Sequence, residues 1–523
     1  MDSPAWAEIP DAQRRYHLTV FLQARGYHHP TFALENDVTY VNPGTKTEVS
    51  SIEVHGDPPD FHIDMKRGIV GESLTPALLD ELEKWAFYRL QTIGYACPRV
   101  LVSADADTGR IILNLYPGSI QNIASISEDF IEDTRPGIFR RYDAFRFGHP
   151  FDVNLLRLTR NRALSDGQVE SFELVVQECV GDQVQLKQET IAGPPRILSF
   201  AFGVNTEGLL LARGSWKSTR LGSTASTIHT QALFSARRQK IEGASDWYFL
   251  PWPSRAFLRP AVFVERQNET PFEALTLHAQ LYPVTTWDGQ SEGLIVHAGP
   301  VYDYVHTLRG TGPSDVRVLS LEGGLRLMSH LFELYRNDPR TGFLLEFGFN
   351  LSSNQIVSDL GALRSRLGFQ ILWNTQSYDP PLFVVGVRGA LATTFPFNSE
   401  AKFALPASFL QFLGGAADLR GFSRRELPLG GVGRLTSAYL GVEGRWIAGL
   451  PLGIQPIVFA DVGALGSDAG SLDDPVFWSP GLGMRVASPI GIFRLTLAHG
   501  FETGARRSGT SHLQFYLSYG EEF

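Results

Sequence analysis

The chain has 523 residues, of which 19% are charged, and its 55 acidic and 46 basic side chains give a net charge of −9. This length predicts at least two domains, and the acidic balance argues against nucleic acid as a partner. The sequence contains no metal-ligand spacing, phosphate-binding loop or nucleophile motif. We therefore predict that the chain is not an enzyme and uses no metal or cofactor.

The N-terminal part mixes helical and strand periods. A helix is predicted in "LTPALLDELEKWAFYRLQTIGYACPRV", residues 74–100, and Gly94 ends it as a left-handed C-cap. One strand, "SSIEVHG", precedes this helix, and two strands, "PRVLVSAD" and "RIILNLYPG", follow it. The side chains that define the apolar face of the helix recur at helical spacing: Leu78, Leu79, Leu82, Trp85, Ala86 and Leu90.

This small α+β unit recurs along the chain, which is the signature of a tandem array. We predict a partial module at residues 1–50, a module at 51–118 and a further module at 135–193. The partial copy begins at its last helix, so its opening strand is absent. The residues from Met1 to Pro4 also lack the regions of an export signal, which taken literally indicates a cytoplasmic protein. Together with the strands described below, the missing strand favours an N-terminus that is processed, truncated or misassigned.

The two cysteines of the chain, Cys97 and Cys179, lie far apart in the sequence. A structural disulfide between them stays open as an alternative. Two isolated, buried thiols are the favoured interpretation.

From about residue 195 the helical period is lost and apolar side chains alternate with polar ones. In "FLLEFGFNL", Phe343, Leu345 and Phe347 face one way while Glu346 and Gly348 face the other. About 16 such segments of roughly 9–12 residues follow one another, the length that crosses a bilayer when tilted. The fourth, "DWYFLPW", has the weakest pattern. The predicted starts lie near residues 197, 208, 225, 245, 257, 274, 293, 316, 342, 362, 382, 435, 453, 478, 491 and 511.

Two features favour a membrane barrel over a soluble sandwich or propeller. Charged residues lie on the polar faces, where a small dry core would not tolerate them: Arg326, Glu346, Arg364, Arg366 and Arg388. Aromatic residues lie near strand ends on the apolar faces, as interfacial girdles do: Tyr304, Trp373, Trp446 and Tyr519. Only a closed barrel satisfies the backbone of every strand in lipid. The predicted fold is a set of α+β modules followed, over residues 195–523, by an all-β, 16-stranded antiparallel transmembrane barrel.

One segment, "GGAADLRGFSRRELPLGG" at residues 414–431, is too long for a hairpin turn. Arg420 is always charged and can bind carboxylates through two parallel hydrogen bonds. Glu443 and Asp461 follow on the next two predicted strands at inward positions. We therefore predict that Arg420 anchors the loop to these acids inside the barrel. A merely exposed loop arginine is the alternative.

Other residues of the same segment complete this prediction. Gly421 and Gly463 would let the loop and the wall approach closely. We expect Arg424 and Arg425 to face solvent or phosphate groups.

Three motifs occur in a characteristic order: "LRGF", Leu419 to Phe422; then the strand that carries Glu443; then "VFADVGALG", with Phe459, Asp461 and Gly463 on one face. In this order, and after tandem α+β modules, they resemble the POTRA-bearing outer-membrane assembly factors. This superfamily includes BamA, TamA and the two-partner-secretion transporters. Three modules and 16 strands look most like TamA.

The resemblance implies a seam between the first and last strands of the barrel. Glycines in these strands would weaken their pairing, and an open edge would template a client strand. The expected seam residues are Phe200, Phe202 and Gly203 on the first strand, and Phe515, Leu517, Tyr519, Gly520 and Phe523 on the last.

The resemblance also implies a function, a location and partners. The chain is expected to insert or translocate β-rich, autotransporter-type client proteins at the bacterial outer membrane, with its POTRA modules in the periplasm. Its partners would be outer-membrane lipid, unfolded β-rich clients and a periplasm-spanning or inner-membrane protein bound by the modules. The alternatives are a passive pore or two-partner-type secretion channel, a BamA-like general assembly factor, and a soluble β-binding protein.

Overall fold

A computed structural model describes residues 9–35, 38–129, 131–132, 134–250, 255–336, 338–355, 357–374, 381–447, 450, 453–488, 491–503 and 512–519. It has small α/β modules at the N-terminus and a closed 16-stranded antiparallel barrel after them. The predicted fold class is therefore confirmed. In the described part of the chain, none of the helices combines the length and the apolar character needed to cross a bilayer.

The N-terminal part contains three small sheets with helices. The elements of the first are α1 (Asp11–Gln23), β1 (Thr31–Glu35) and β2 (Val38–Asn42). Those of the second are β3 (Ser51–His55), the short 3-10 turn Ile63–Met65, α2 (Pro76–Thr92), β4 (Arg99–Ala104) and β5 (Arg110–Tyr116). Those of the third are β6 (Asn122–Ser127), the 3-10 turn Ile138–Tyr142, α3 (Val153–Ser165), β7 (Val169–Val180) and β8 (Gln183–Ala192).

The second module shows why these sequences fold as they do. The Thr75 side chain accepts a hydrogen bond from the Leu78 amide and caps α2, while Pro76 occupies its first turn. Gly94 ends the helix with a φ of +109°. The sheet order is β3-β5-β4, with β3 parallel to β5, so the helix and β4 together form the connection between the two parallel strands.

The third module repeats this order as β6-β8-β7, again with a parallel first pair. Its strand β6 lies before residue 135, where we predicted that the module begins. The strand sequence "NIASIS" is short and polar, so it gave little strand signal.

Cys97 and Cys179 form a disulfide that joins the second and third modules, so the prediction of two free thiols was wrong. Cys97 follows the end of α2, and Cys179 lies near the end of β7. Their Cα atoms are 6.5 Å apart although 82 residues separate them in sequence. Packing of consecutive modules brings the two cysteines together, and no local sequence pattern reports that packing.

The barrel strands follow in chain order, and each pairs antiparallel with its neighbours. They are β9 (Arg196–Asn205), β10 (Leu209–Leu221), β11 (Ser226–Ser235), β12 (Arg238–Asp246), β13 (Phe257–Asn268), β14 (Glu273–Asp288), β15 (Glu292–Arg309), β16 (Asp315–Ser329), β17 (Gly342–Ser352), β18 (Ala362–Asn374), β19 (Phe383–Pro396), β20 (Thr436–Trp446), β21 (Ile454–Gly466), β22 (Phe477–Ser488), β23 (Gly491–Glu502) and β24 (His512–Tyr519). Two short helices, α4 (His330–Leu334) and α5 (Ser399–Phe403), lie in connections, as does the 3-10 turn Ala407–Phe409.

Every predicted strand start coincides with or adjoins an observed one, except the fourth. The segment "DWYFLPW" was predicted to begin near residue 245, whereas β12 ends at Asp246. Ile241 is an apolar, outward-facing side chain of β12, 69% exposed, while Lys240 and Glu242 pair with each other on the other face. β12 has few apolar side chains and therefore little alternation. The aromatic residues that follow it were predicted as the strand instead.

The third module packs against one end of the barrel, the end at which β14 and β16 finish. Arg162 of α3 donates to the Asp288 carboxylate at the end of β14, with a distance of 2.8 Å, and to Glu333 of α4 at 2.6 Å. His330 Nε2 lies 3.0 Å from the same Asp288 carboxylate, and Arg255 also donates to it. This junction cluster, Arg162, Arg255, Asp288, His330 and Glu333, fixes which end of the barrel faces the modules.

Candidate functional site

The connection between β19 and β20, residues 397–435, folds back into the end of the barrel far from the modules. Its side chains Leu405, Ala407 and Phe409 form a buried cluster with inward-facing wall residues. The wall side of the cluster consists of Phe272, Ala274, Val305, Val316, Val318, Leu360 and Ala362. Apolar burial therefore holds the first half of the loop inside the barrel.

Arg420 is the polar attachment point of the second half of the loop. Its Nε and Nη2 each lie 2.8 Å from an oxygen of the Asp461 carboxylate, and its Nη1 lies 2.6 Å from Glu443 Oε2. The backbone amide of Arg420 donates to Asp461 as well. The guanidinium lies over the Phe459 ring, 3.4 Å from its centroid. Thus the structure brings together four of the residues that the sequence singled out.

This cluster is almost completely withdrawn from water. Arg420 is 1% exposed, Asp461 2% and Glu443 8%. Burial alone lowers the pKa of Arg420, but the hydrogen bonds and charges of Asp461 and Glu443 outweigh it, so the pKa of Arg420 is raised. A buried pair that is so fully hydrogen-bonded tolerates the loss of neither partner.

Two wall arginines share the carboxylate of Glu443 with the loop. Arg445 Nε lies 2.7 Å from Glu443 Oε1, and Arg494 Nη2 lies 2.6 Å from Oε2. Arg445 lies on β20 with Glu443, and Arg494 lies on β23, so Glu443 links two strands of the wall to Arg420. The sequence reasoning missed Arg494, because no motif connects β23 to the loop.

The neighbours of Arg420 seat the loop against the wall. A Cβ added to Gly421 would lie 2.4 Å from the Gly500 amide nitrogen, and one added to Gly463 would lie 3.0 Å from a methyl of Leu419. Both glycines therefore permit a close approach that a side chain would block. Leu419 and Phe422 are buried in one apolar cluster with Leu413, Leu427, Leu465 and Phe477.

Arg424 and Arg425 were predicted to face solvent or phosphate groups, but both are partly buried and contact one acid of the barrel. Arg424 binds the Glu269 carboxylate through Nε at 3.0 Å and Nη2 at 2.8 Å, and Arg425 Nε lies 3.7 Å from it. Glu269 is 2% exposed and lies in the connection between β13 and β14. No sequence pattern points to this acid, because it belongs to a distant hairpin and to none of the motifs.

Over the described residues, β24 and β9 pair at fewer positions than the other neighbouring strands do. Ser518 lies opposite Asn205 and Tyr519 opposite Val204, and the Thr206 amide donates to the Leu517 carbonyl at 3.0 Å. On its other side, β9 pairs with β10 along its whole length. Among the described residues, the β24-facing edge of β9 is therefore largely unpaired.

The predicted seam residues lie on these two strands. Phe200 and Phe202 point outward and are 68% and 70% exposed, and Phe515 and Leu517 also point outward. A Cβ on Gly203 would lie 3.3 Å from the Tyr519 carbonyl oxygen, so Gly203 sits in the seam itself. Gly520 and Phe523 lie outside the described residues.

A family model described as the Omp85 superfamily domain matches residues 335–523. The match covers the long loop, Arg420, Glu443, Asp461 and the last strand. The comparison with curated proteins found no match.

Solved structures with a similar fold include BamA from Haemophilus ducreyi lacking POTRA domains 1–3, with a TM-score of 0.53 and 15% identity. That match covers 90% of this chain and 99% of the other. CdiB from Acinetobacter baumannii matches with a TM-score of 0.49 and 12% identity, over 99% of both chains.

At these identities the BamA likeness shows the fold alone, and the narrower resemblance to TamA stays a prediction. Omp85 proteins serve membrane transport and assembly and are not enzymes. Residues 335–523 thus match the Omp85 superfamily domain, and they lie in a closed 16-stranded barrel that follows small α/β modules.

Proposed function

We propose that this chain inserts or translocates β-rich client proteins at the outer membrane, through the seam between β9 and β24. The observation that carries the proposal is the short pairing at this seam, where only Val204 and Asn205 of β9 face described residues of β24. An unpaired strand edge in a membrane is costly, because lipid offers its amides and carbonyls no partner. A client strand would satisfy them.

The chemistry of β9 fits a template for such a strand. Among the described residues of β24, only Ser518 and Tyr519 lie opposite the backbone edge of β9, and the outward side chains of β9, Leu198, Phe200 and Phe202, are exposed and apolar. A strand that pairs with this edge would gain main-chain hydrogen bonds first and side-chain contacts in lipid second. Neither gain depends on a particular client sequence, so the proposal extends to β-rich clients in general, and autotransporter-type clients are a narrower case.

The long loop argues against a passive pore. It places Leu405, Ala407 and Phe409 in an apolar cluster within the barrel, and Arg420 holds the rest of the loop against the wall. A two-partner-type secretion channel would have to move this loop. A general assembly role like that of BamA needs only the seam.

The disulfide between Cys97 and Cys179 supports a periplasmic place for the modules, because such bonds persist in oxidising compartments. Modules in that position could bind a partner that spans the periplasm or lies in the inner membrane.

A lock across the seam tests the proposal. Asn205→Cys with Ser518→Cys places two thiols on facing residues, and oxidation should join the strands. We expect the oxidised protein in liposomes to stop inserting an unfolded β-barrel client, and reductant to restore insertion.

The matched control is Ser215→Cys with Gln231→Cys, a facing pair between β10 and β11. This lock should leave insertion unchanged. The parent protein with reductant controls for the reduction of the native disulfide. Unchanged insertion by the seam-locked protein would refute the proposal.

A further inference from the structure

One loop segment contacts both sides of the seam from inside the barrel. This segment, residues 414–427, runs from the Gly414 turn to the Leu427 amide, which donates to the Leu413 carbonyl. Its contacts reach the last two strands of the wall on one side and the first hairpin on the other.

On the last-strand side the attachment is extensive. The Tyr516 hydroxyl of β24 donates to the Phe422 carbonyl at 2.6 Å, and Tyr516 is 7% exposed. Gly421 touches the backbone of Gly500 in β23. Arg420 adds its buried bonds to Asp461 and Glu443. The segment is therefore bound to the C-terminal wall at several buried points.

On the first-strand side one acid makes the connection. Glu207 lies in the tight turn that joins β9 to β10, and its Oε1 accepts a hydrogen bond from the Ala416 amide at 3.0 Å. Its Oε2 lies 3.7 Å from Arg424 Nη1. A Cβ on Gly415 would lie 2.7 Å from Glu207 Oε1, and Gly415 has a φ of +126°, so the loop is shaped to this carboxylate.

We propose that the segment 414–427 is a clasp that holds the seam closed, with Glu207 as its release point. The proposal rests on the function proposed above and adds how the seam would be controlled. Among the described residues, two pairs face each other between β9 and β24, and the loop adds the contacts with Tyr516 and Glu207 on the two sides of the seam. Separation of the strands requires the loop to leave one side.

The loop segment is attached to the last strands on one side and to the first hairpin on the other, and it should detach from the side where its attachment is weaker. Arg420 is almost fully buried and binds two carboxylates, whereas the Glu207 side has one amide hydrogen bond and a distant contact with Arg424, whose side chain is 36% exposed. The clasp therefore stays with the last strands and releases the first hairpin. Release frees β9, the strand whose open edge would receive a client.

Distances across the seam test the clasp. Spin labels on Leu210→Cys and Leu513→Cys would sit on outward side chains of β10 and β24, away from the strand edges that pair in the seam. In the full chain we expect Glu207→Ala to raise the ratio of open to closed distances about tenfold, the typical effect of a hydrogen bond to a charged group. Tyr516→Phe removes one neutral hydrogen bond and should shift the ratio less.

Two further variants complete the test. Asp474→Asn removes the carboxylate that binds Arg434 at 2.7 and 3.0 Å, a loop contact that does not cross the seam, and should leave the distances unchanged. Glu207→Gln keeps an acceptor for the Ala416 amide and should give a smaller shift than Glu207→Ala. Glu207→Gln also replaces Glu207→Ala in the distance measurement if the alanine variant does not fold into a heat-modifiable barrel.

Unchanged distances in the folded Glu207 variants would overturn the clasp. If the seam lock still stopped client insertion, the proposed function would survive that result. A seam lock without effect on insertion would instead overturn the function and the clasp together.

Discussion

The barrel contains two buried clusters of arginines and carboxylates, one in its interior and one at its junction with the modules, and the charges at their centres are opposite. In the interior the central group is a cation, Arg420, which binds two anions, Asp461 and Glu443. At the module end one anion, Asp288, binds two cations, Arg162 and Arg255. The first cluster joins a loop to its own barrel, and the second joins the barrel to the preceding module.

The two clusters also differ in how far their arginine side chains are exposed to solvent. The Arg420 side chain is 1% exposed, whereas that of Arg162 is 18% exposed. Burial, and then the charge of Arg162, lowers the pKa of His330 to about 4, so His330 is neutral at pH 7 and adds no charge to the junction. Because loss of a partner costs most where water cannot replace it, the comparison teaches that the loop anchor should be the more sensitive of the two.

Arg420→Ala should therefore have the largest effect. It leaves the buried Asp461 carboxylate without its guanidinium, a change that costs about 3–5 kcal/mol for a buried ion pair. We expect the loop 397–435 to detach, which limited proteolysis would detect as new cleavage within it. Thermal unfolding, followed as the loss of the heat-modifiable gel band, should occur at lower temperature.

Arg420→Lys is the matched control for charge. A lysine retains the positive charge but cannot bind Asp461 through two parallel hydrogen bonds and reach Glu443 as well. Protection of the loop should fall between that of the parent and that of Arg420→Ala. If the loop resists protease equally in all three proteins, Arg420 is not its anchor.

The two clusters also differ in how far the sequence could predict them. Glu443 and Asp461 lie at inward positions of neighbouring strands, and Arg420 lies in the loop that precedes them, so the order of the motifs and the alternation of the strands placed the three together. Arg162 and Asp288 come from a helix and a strand that are 126 residues apart, and nothing in either segment points to the other.

The same limit explains the other differences. Most barrel strands were predictable because outward apolar residues alternate with inward polar ones, whereas β12 has little such alternation. Glu207 and Glu269 reach the loop only because the barrel closes, which no periodicity reports. Contacts that form when the barrel closes or when the modules pack against each other can be identified only from the tertiary structure.

Asp288→Asn should weaken the junction by a smaller amount. The neutral amide loses its charge attraction to Arg162 and Arg255, but Arg162 keeps its two bonds to Glu333. A loss of about 1–3 kcal/mol is expected for a hydrogen-bonded charged group. Amide exchange in α3 should become faster, while exchange in the loop 397–435 stays unchanged.

Glu333→Gln provides the complementary variant, since it removes the second carboxylate of Arg162 and leaves Asp288 in place. Its effect on exchange in α3 should resemble that of Asp288→Asn. An effect of either substitution on exchange in the loop 397–435 would show that the two clusters are coupled and do not act independently.

Glu346→Gln should have the smallest effect, because it removes an ion pair that is exposed to water. Arg326 and Glu346 face each other on β16 and β17 at 3.2 Å, with side chains 38% and 55% exposed. This pair has the same chemistry as the two clusters but lies in contact with water, so its loss should cost less than about 1 kcal/mol. The temperature at which the heat-modifiable band is lost should hardly change. If Glu346→Gln lowered that temperature as much as Arg420→Ala, the ion pair alone would account for the loss of stability in both variants. Burial would then not explain the importance of Arg420.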